Sequence, residues 1–186
     1  MSNEKDILTF SLKNYHSTSV SEEVYSIRKI MIYYMNDLRE DFSLHYQTFF
    51  IAVSIFDKLV HYDPKMFVQK KLRFIGLVIL WISSKFEETD PLCLDDLFYV
   101  TEHKHSKEDF LDFEKVILEK IQYQIPHINS YTILEQYKEV YPFLHHKSFF
   151  KKCLSNLFTR TLEENVSSLC ILEIIQNEKT KFFNKI

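Results

Sequence analysis

Glycine is nearly missing from this 186-residue sequence, which contains one glycine and four prolines. Because these residues mark most tight turns and breaks, their scarcity argues against a β-rich fold and favours helices joined by short loops. A single glycine also excludes the glycine-rich loops that cradle phosphates. The three cysteines are far apart and odd in number, which is not typical of a disulfide framework. We therefore expect an intracellular all-α protein.

Strong charge of one sign and an apolar leader are also missing. The formal net charge is −3, which gives no general attraction to nucleic acid or to anionic membranes. Residues 1–6 are polar and acidic, so no secretory signal is visible. Apolar side chains are plentiful instead: 46% of the residues are hydrophobic, with 17 Phe and 11 Tyr. This composition predicts a soluble protein with a core filled by aromatic rings.

The most apolar stretch, residues 69–86, predicts a helix at the centre of the molecule. Apolar side chains from Leu72 to Ile82 surround the helix axis, as expected of a helix inside a bundle. The stretch is too short, and too closely flanked by lysines, to be a membrane span. The single glycine, Gly76, lies in the middle of this helix, where it costs about 1 kcal/mol relative to alanine. We expect a neighbouring helix that crosses close to Gly76.

Start and stop signals divide the rest of the chain into further helices. Apolar spacing predicts a helix that starts near Ser19 or Ser21 and runs to about Asp41, a second helix over about 46–61, and a short one over 94–100. Ser106 and Asp109 form a capping box for a helix through Gln122, and Pro126 is predicted to stop it. Two more helices are predicted near 147–164 and 166–182.

Two charges lie within otherwise apolar patterns. Lys85 follows Trp81 by four residues and Ile82 by three, so it shares their helix face. Glu114 lies in an apolar stripe with Phe110. A lone buried charge is costly, so each needs an opposite charge or an exposed position. Periodicity alone leaves two interpretations open: an ion pair without function, or a charged pair that grips the backbone of a partner.

The segments around these charges resemble the cyclin box, most closely that of the A- and B-type mitotic cyclins. The resemblance rests on the runs Ser84–Pro91 (SKFEETDP), Asp96–Thr101 (DLFYVT) and Phe113–Leu118 (FEKVIL). It implies a five-helix cyclin box over residues 20–126, preceded by an N-terminal arm or short helix over residues 1–19.

Residues 127–186 follow the family pattern less closely. The run Tyr131–Tyr137 resembles the opening of the second box in two-box cyclins, but about sixty residues are too few for five more helices. A partial second helical lobe, and extra helices that cap the first box, are both consistent with the sequence. Either way, the apolar groups of this segment need a surface to pack against, and we expect that surface to be the first box.

The resemblance implies a non-catalytic regulatory subunit that binds and activates a cyclin-dependent serine/threonine protein kinase in cell-cycle control, by ordering its mobile helix and activation loop. In the family the matching lysine and glutamate contact that helix, so Lys85, Glu114, Phe86 and Phe110 are the predicted kinase-binding residues. The resemblance also implies residence in nucleus and cytoplasm, and no cofactor. Alternatives are a short single-box cyclin of a nutrient-response or transcriptional kinase, and a cyclin-fold transcription-factor module.

Two further sets of residues take their roles from the resemblance. Arg28 and Asp57 match a structural salt bridge. A groove for Arg-x-Leu peptides of substrates or inhibitors matches Ile27, Ile30, Met31, Tyr34, Asp37, Leu72 and Arg73. The alternative interpretation is that the apolar members Ile27, Ile30, Met31 and Leu72 are simply core. Because Tyr34 replaces the usual tryptophan and Arg73 a glutamine, we expect a weaker or altered peptide preference.

Catalytic chemistry is not indicated anywhere in the chain. The histidine pairs 103/105 and 145/146 match no familiar zinc spacing with the cysteines, so no metal site is predicted. None of the eight histidines lies in a recognisable nucleophile arrangement. The adjacent Glu87 and Glu88 are interpreted as a solvated helix end rather than as a paired acid and base.

Overall fold

The computed structural model describes residues 22–67, 71–163 and 166–183, and within these ranges it contains only helices and loops. The predicted all-α fold is confirmed. The predicted arm over residues 1–19, and the start of the central helix at Gln69, lie outside the described residues. The α-helices are α1 (Glu22–Asp41), α2 (Tyr46–Tyr62), α3 (Leu72–Glu87), α4 (Leu94–Val100), α5 (Lys107–Lys120), α6 (Ser130–Val140), α7 (Lys147–Glu163) and α8 (Ser168–Phe183), with short 3₁₀ helices at Pro64–Phe67 and Pro142–His145.

Helix α3 is the centre of the fold, as its apolar sequence predicts. Every residue from Phe74 to Ser84 is buried, and α1, α2 and α5 pack around it. Even its serines are satisfied internally: the Ser83 hydroxyl donates to the carbonyl oxygen of Ile79 at 2.9 Å. None of the helices in the described ranges has the length and hydropathy needed to cross a bilayer.

Gly76 marks the place where α1 crosses α3. A Cβ atom at this position would lie 2.7 Å from Cε of Met31 and 3.2 Å from Cδ1 of Tyr34. The glycine therefore allows the close approach of two helices, and packing offsets its low helix propensity. The prediction of a close crossing at Gly76 is confirmed.

Helix α5 starts as predicted but ends earlier. The Ser106 hydroxyl accepts from the Asp109 amide at 3.1 Å, and the Asp109 carboxylate accepts from the Ser106 amide at 2.8 Å. The helix stops at Lys120 because Gln122 and Tyr123 adopt positive φ angles of 57° and 55°. The prediction that Pro126 ends this helix is thus wrong, since left-handed residues turn the chain before the proline is reached.

The C-terminal helices pack on the first five and share their core. The Phe158 ring of α7 lies 5.6 Å from that of Phe49 and 6.4 Å from that of Tyr33, between centroids. The Tyr131 ring of α6 stacks on that of Phe50 at 6.0 Å. One continuous cluster of buried residues results. This confirms that the tail packs against the first box, while the division at residue 127 stays a prediction.

Candidate functional site

The last turn of α3 and the middle of α5 place Lys85 beside Glu114. The end of α3 is held by Trp81, whose Nε1 donates to the carbonyl oxygen of Leu92 at 3.0 Å. The two helices meet through rings: the Phe110 centroid of α5 lies 6.4 Å from that of Trp81 and 5.1 Å from that of Phe74. Packing of these rings sets the distance between the two charged side chains.

The Lys85 ammonium donates to Oε1 of Glu114. It also lies 3.5 Å from the centroid of the Trp81 ring, close enough for a cation–π interaction. The Lys85 side chain is 34% exposed and that of Glu114 is 16% exposed. The predicted contact is present, and both groups remain accessible at the edge of the bundle.

Apolar side chains flank the pair on the outer surface. Phe86, next to Lys85, is 50% exposed, as a partner contact requires. On α5, Leu111 precedes Glu114 by three residues and Leu118 follows it by four, so both share its face. Leu111 is exposed and Leu118 half-buried. Neither leucine is among the kinase contacts predicted from the sequence, although their i−3 and i+4 spacing from Glu114 is a usable signal.

Phe110 does not belong to this surface. Its side chain is fully buried and packs among Phe74, Trp81 and Phe98. The prediction of Phe110 as a kinase-binding residue is wrong, because its position on α5 points the ring toward α3 and the core. Its role is to position α5, and hence Glu114, against α3.

The residue after α3, Glu88, has a structural role that the sequence did not reveal. Its Oε1 accepts from the His45 amide at 2.7 Å and from the Thr48 hydroxyl. The Glu88 carboxylate thus lies at the N-terminus of α2, where the helix dipole favours a negative charge. With 9% of its side chain exposed, Glu88 is not part of a solvated helix end, and that interpretation is wrong for this residue.

Arg28 and Asp57 form the predicted structural pair. Arg28 Nε and Nη2 donate to the two Asp57 carboxylate oxygens at 2.8 and 3.0 Å. Both side chains are nearly buried. Arg28 Nη1 also donates to the carbonyl oxygen of Thr161 in α7 at 2.5 Å. The same guanidinium therefore joins α1, α2 and the C-terminal helices.

The residues of the predicted peptide groove divide between core and surface. Ile27 and Met31 are buried, whereas Ile30, Asp37 and Arg73 are exposed, and Tyr34 and Leu72 are half-buried. The Arg73 guanidinium carbon lies 6.0 Å from the centroid of the Tyr34 ring. Partial burial raises the pKa of Tyr34, and the nearby Arg73 charge opposes that rise. A basic group thus lies against the ring at this end of α3.

Metal-binding and nucleophilic groups do not gather at any place that the structure describes. No group of three or more His, Cys, Asp or Glu side chains in these ranges could hold a metal ion. Burial raises the pKa of the Cys153 thiol to about 12, which leaves it protonated and unreactive near neutral pH. The accessible chemistry at Lys85 and Glu114 is hydrogen bonding and charge, which suits binding.

The sequence of the chain is similar to that of one known protein family and of several named proteins. A family model described as the cyclin N-terminal domain matches residues 2–126. The chain is similar to G2/mitotic-specific cyclin-2 of Medicago sativa, with 25% identity over 60% of this chain and 33% of that protein. It is 30% identical to G2/mitotic-specific cyclin-B3 of Gallus gallus over 60% of this chain and 27% of that protein. The chain thus spans a third or less of these relatives.

A solved structure extends the similarity to the C-terminal helices. The X-ray structure of a viral cyclin from herpesvirus saimiri superimposes with a TM-score of 0.66 and 20% identity, covering 88% of this chain and 73% of that chain. At this identity the likeness concerns the fold alone. Because 88% of the chain exceeds residues 2–126, the shared fold includes part of α6–α8.

Proposed function

Because the chain belongs to the cyclin family through its N-terminal domain, we propose that it is a non-catalytic regulatory subunit that binds and activates a cyclin-dependent serine/threonine protein kinase. Relatives named as G2/mitotic-specific cyclins support a role in cell-cycle control.

The accessible Lys85–Glu114 pair carries this proposal. Replacing such a pair by well-packed apolar residues is often neutral or stabilising, so stability alone does not explain two charges in an apolar seam. A lysine ammonium has several donors, and a carboxylate has several acceptor positions. With one contact used between them, Lys85 retains donors for backbone carbonyl oxygens and Glu114 retains acceptor positions for backbone amides. Backbone groups of this kind are free at the ends of a helix.

The surrounding apolar surface supports a helix as the ligand. Phe86 and Leu111 supply exposed apolar area, and Leu118 adds a half-buried side chain on the same face of α5. A kinase's mobile helix that docks on this surface is held in one orientation. In that orientation the kinase's own lysine–glutamate pair forms and its activation loop is released, which is a rigid-body and order–disorder switch. The regulatory subunit supplies no reacting group.

The test is kinase binding and activation by Lys85→Ala and Glu114→Ala. Each variant leaves the opposite charge without its partner at the interface, which typically costs about 2–5 kcal/mol, or roughly thirty- to several-thousandfold in affinity. The matched control is Lys120→Ala, because Lys120 also lies on α5 and pairs with Asp63 across elements at 2.6 Å. We expect the control to bind and activate like the wild type. Two folded alanine variants that activate at wild-type concentrations would overturn the proposal.

A second contact, with substrates or inhibitors, is proposed for the surface formed by Ile30, Tyr34, Asp37 and Arg73. Asp37 attracts the arginine of an Arg-x-Leu peptide, whereas Arg73 repels it. Buried Ile27 and Met31 shape the floor of this surface from within the core. Nucleus and cytoplasm remain the proposed locations, as for a protein whose partners are kinase subunits and their substrates.

A further inference from the structure

A small cavity opens between the start of α3 and the first turns of α5. Its volume is about 190 Å³, below the roughly 300–1,000 Å³ of sites that hold drug-sized ligands and cofactors. It is lined by Lys71, Phe74, His105, Asp109, Asp112 and Phe113, among others. None of these six residues belongs to the proposed kinase contact or to the proposed Arg-x-Leu groove. The size of this cavity suits a single side chain of a ligand.

Aromatic rings form much of the cavity wall. The His105 ring stacks on that of Phe74, with centroids 4.1 Å apart and planes 29° from parallel. The Phe113 ring lies 5.3 Å from that of Phe74. Phe74 is buried, whereas His105 and Phe113 are half-buried, so the latter two rings offer surface to a ligand. The face of an aromatic ring attracts cations.

The wall that His105 forms is held in place by the start of α5. The capping box ties Ser106 to Asp109 through two hydrogen bonds, at 2.8 and 3.1 Å. His105 directly precedes Ser106, so the capping box also fixes the position from which the imidazole reaches Phe74. A wall that is already ordered lowers the entropy cost of binding.

The charges of the cavity leave one carboxylate without a partner. Hydrogen bonding from Ser106 lowers the pKa of Asp109, and the nearby charge of Lys71 contributes, so Lys71 and Asp109 offset each other in part. Asp112 forms no hydrogen bond or salt bridge with any residue in the described ranges. Other exposed carboxylates, such as Asp95, also lack a salt bridge there, but Asp95 does not line this cavity. Asp112 is distinguished by its place beside aromatic rings in a cavity.

We propose that this cavity binds the guanidinium group of an arginine in a partner protein. A guanidinium is planar and stacks on aromatic faces, and its N–H groups form a fork that matches a carboxylate. Here the plane of the group lies against His105 or Phe113, and its N–H groups donate to Asp112. A lysine ammonium is a compact point charge without a plane to stack, so arginine fits this combination of rings and carboxylate better.

The cavity and the proposed kinase contact lie on different sides of α5. Each residue of a helix is rotated by about 100° from the one before, so Asp112 is about 200° around the axis from Glu114. A chain that holds a kinase through Glu114 can therefore still bind an arginine at Asp112. The proposed site would recruit a further protein to the complex.

The experiment follows the amide signals of the isotope-labelled full chain by NMR during titration with N-acetyl-arginine methylamide. We expect saturable shifts at His105, Asp112 and Phe113, with a dissociation constant in the millimolar range because a single side chain supplies the contacts. The matched probe is N-acetyl-citrulline methylamide, which has the same shape without the charge and should bind several-fold more weakly.

Two variants test the proposed contacts. Asp112→Asn removes the acceptor charge and Phe113→Leu removes a ring, and each should weaken binding of the arginine probe about two- to fivefold. The control is Asp95→Asn, which changes the net charge equally on α4 and should bind like the wild type. The spread of amide signals and thermal melts check that all three variants fold.

Four results would overturn this assignment. The first is the absence of saturable shifts at the cavity, and the second is equal binding of the citrulline probe. The third is an equal loss of affinity in Asp95→Asn, which would make net charge alone responsible. The fourth is tighter binding of N-acetyl-aspartate methylamide that Lys71→Gln abolishes, which would identify an anion site. A failure of kinase activation in Lys85→Ala with arginine binding intact concerns the proposed function only.

Discussion

Arg28 of α1 donates to the carbonyl oxygen of Thr161 in α7 at 2.5 Å while its other nitrogens hold Asp57 of α2. A guanidinium has donors in a fixed fork, so it can satisfy a carboxylate and a carbonyl group together. The carbonyl group lies in the last turn of α7, where the helix dipole is negative. This contact couples the N-terminal helices to the C-terminal ones.

Replacement of Arg28 should therefore destabilise the whole molecule. In Arg28→Ala the Asp57 carboxylate, 13% exposed, loses its partner, and breaking a buried pair costs about 3–5 kcal/mol. Arg28→Lys keeps the charge but not the fork, so we expect an intermediate loss. Urea unfolding measures the free energy, with Lys104→Ala at an exposed pair as a control that changes little. Equal midpoints for Arg28→Ala and wild type would show that Arg28 does not connect the elements energetically.

Glu88 should be important for the junction of α3 and α2, unlike its neighbour Glu87. Glu88→Ala leaves the His45 amide and the buried Thr48 hydroxyl without an acceptor, at a cost of about 1–3 kcal/mol. Glu88→Gln retains an acceptor and should lose less.

Burial and the nearby Glu88 charge raise the pKa of Glu87, so its ionised form is disfavoured in the folded state. Glu87→Ala should then melt at or above the wild-type temperature, and a loss equal to that of Glu88→Ala would contradict this account.

Stability in acid should depend in part on Asp63. The hydrogen bond from Lys120 lowers the pKa of Asp63 below its usual value, and backbone amides of the following 3₁₀ helix add to the effect. The pKa of Asp63 is lower in the folded state than in the unfolded state. The ionised carboxylate therefore contributes fully to stability above the unfolded-state pKa, and this contribution is lost as pH falls through the folded-state pKa. The difference in the free energy of unfolding between wild type and Asp63→Asn should be constant around neutral pH and vanish in acid. We expect it to be below about 1 kcal/mol, because the Asp63–Lys120 pair is exposed. Denaturant titrations across the acidic range measure it, and a difference that persists at the lowest pH would exclude this linkage.

Arg73 should weaken the binding of Arg-x-Leu peptides. Arg73→Gln removes a repelling charge near Tyr34, so peptide affinity should rise by about two- to fivefold. Arg73→Lys keeps the charge and is expected to bind like the wild type. Peptide titration by calorimetry or anisotropy makes the comparison. If wild type and Arg73→Gln bind such a peptide equally well, Arg73 does not determine the preference of this surface.

A chain that ends at His127 should lose stability but keep the kinase contact. It lacks Phe158 and Tyr131, so Phe49 and Phe50 are left uncovered, and Arg28 loses the carbonyl group of Thr161. We expect a lower melting temperature or aggregation. The residues proposed for kinase binding all precede Pro126, so pull-downs on soluble material should still capture the kinase. An unchanged melting temperature would mean that α6–α8 form an independent lobe, and lost binding in a well-folded fragment would place them in the interface.

Several features of this molecule follow from the sequence itself. The apolar run of α3 surrounds the helix axis and leaves no polar face for solvent, so this helix must lie inside a helical bundle. Ser106 and Asp109 start α5 through contacts between residues three apart. Lys85 and Glu114, like Arg28 and Asp57, are charges within apolar patterns, and the cost of burying a lone charge makes a partner of opposite sign necessary. Periodicity by itself already offers the pairing of Lys85 with Glu114 as one interpretation, whereas the pairing of Arg28 with Asp57 is what the family resemblance implies.

Other features depend on tertiary structure because no local pattern encodes them. Phe86 and Phe110 are the same residue type in similar helical contexts, yet the packing of α5 on α3 exposes the first and buries the second. In the sequence Glu88 is an ordinary charge at a helix end, and only the structure shows that the N-terminus of α2 lies beside it. The carbonyl group that Arg28 binds has no sequence signal at all, since every residue carries one. Arg28 binds the carbonyl group of Thr161 only because α7 packs against α1 in this position.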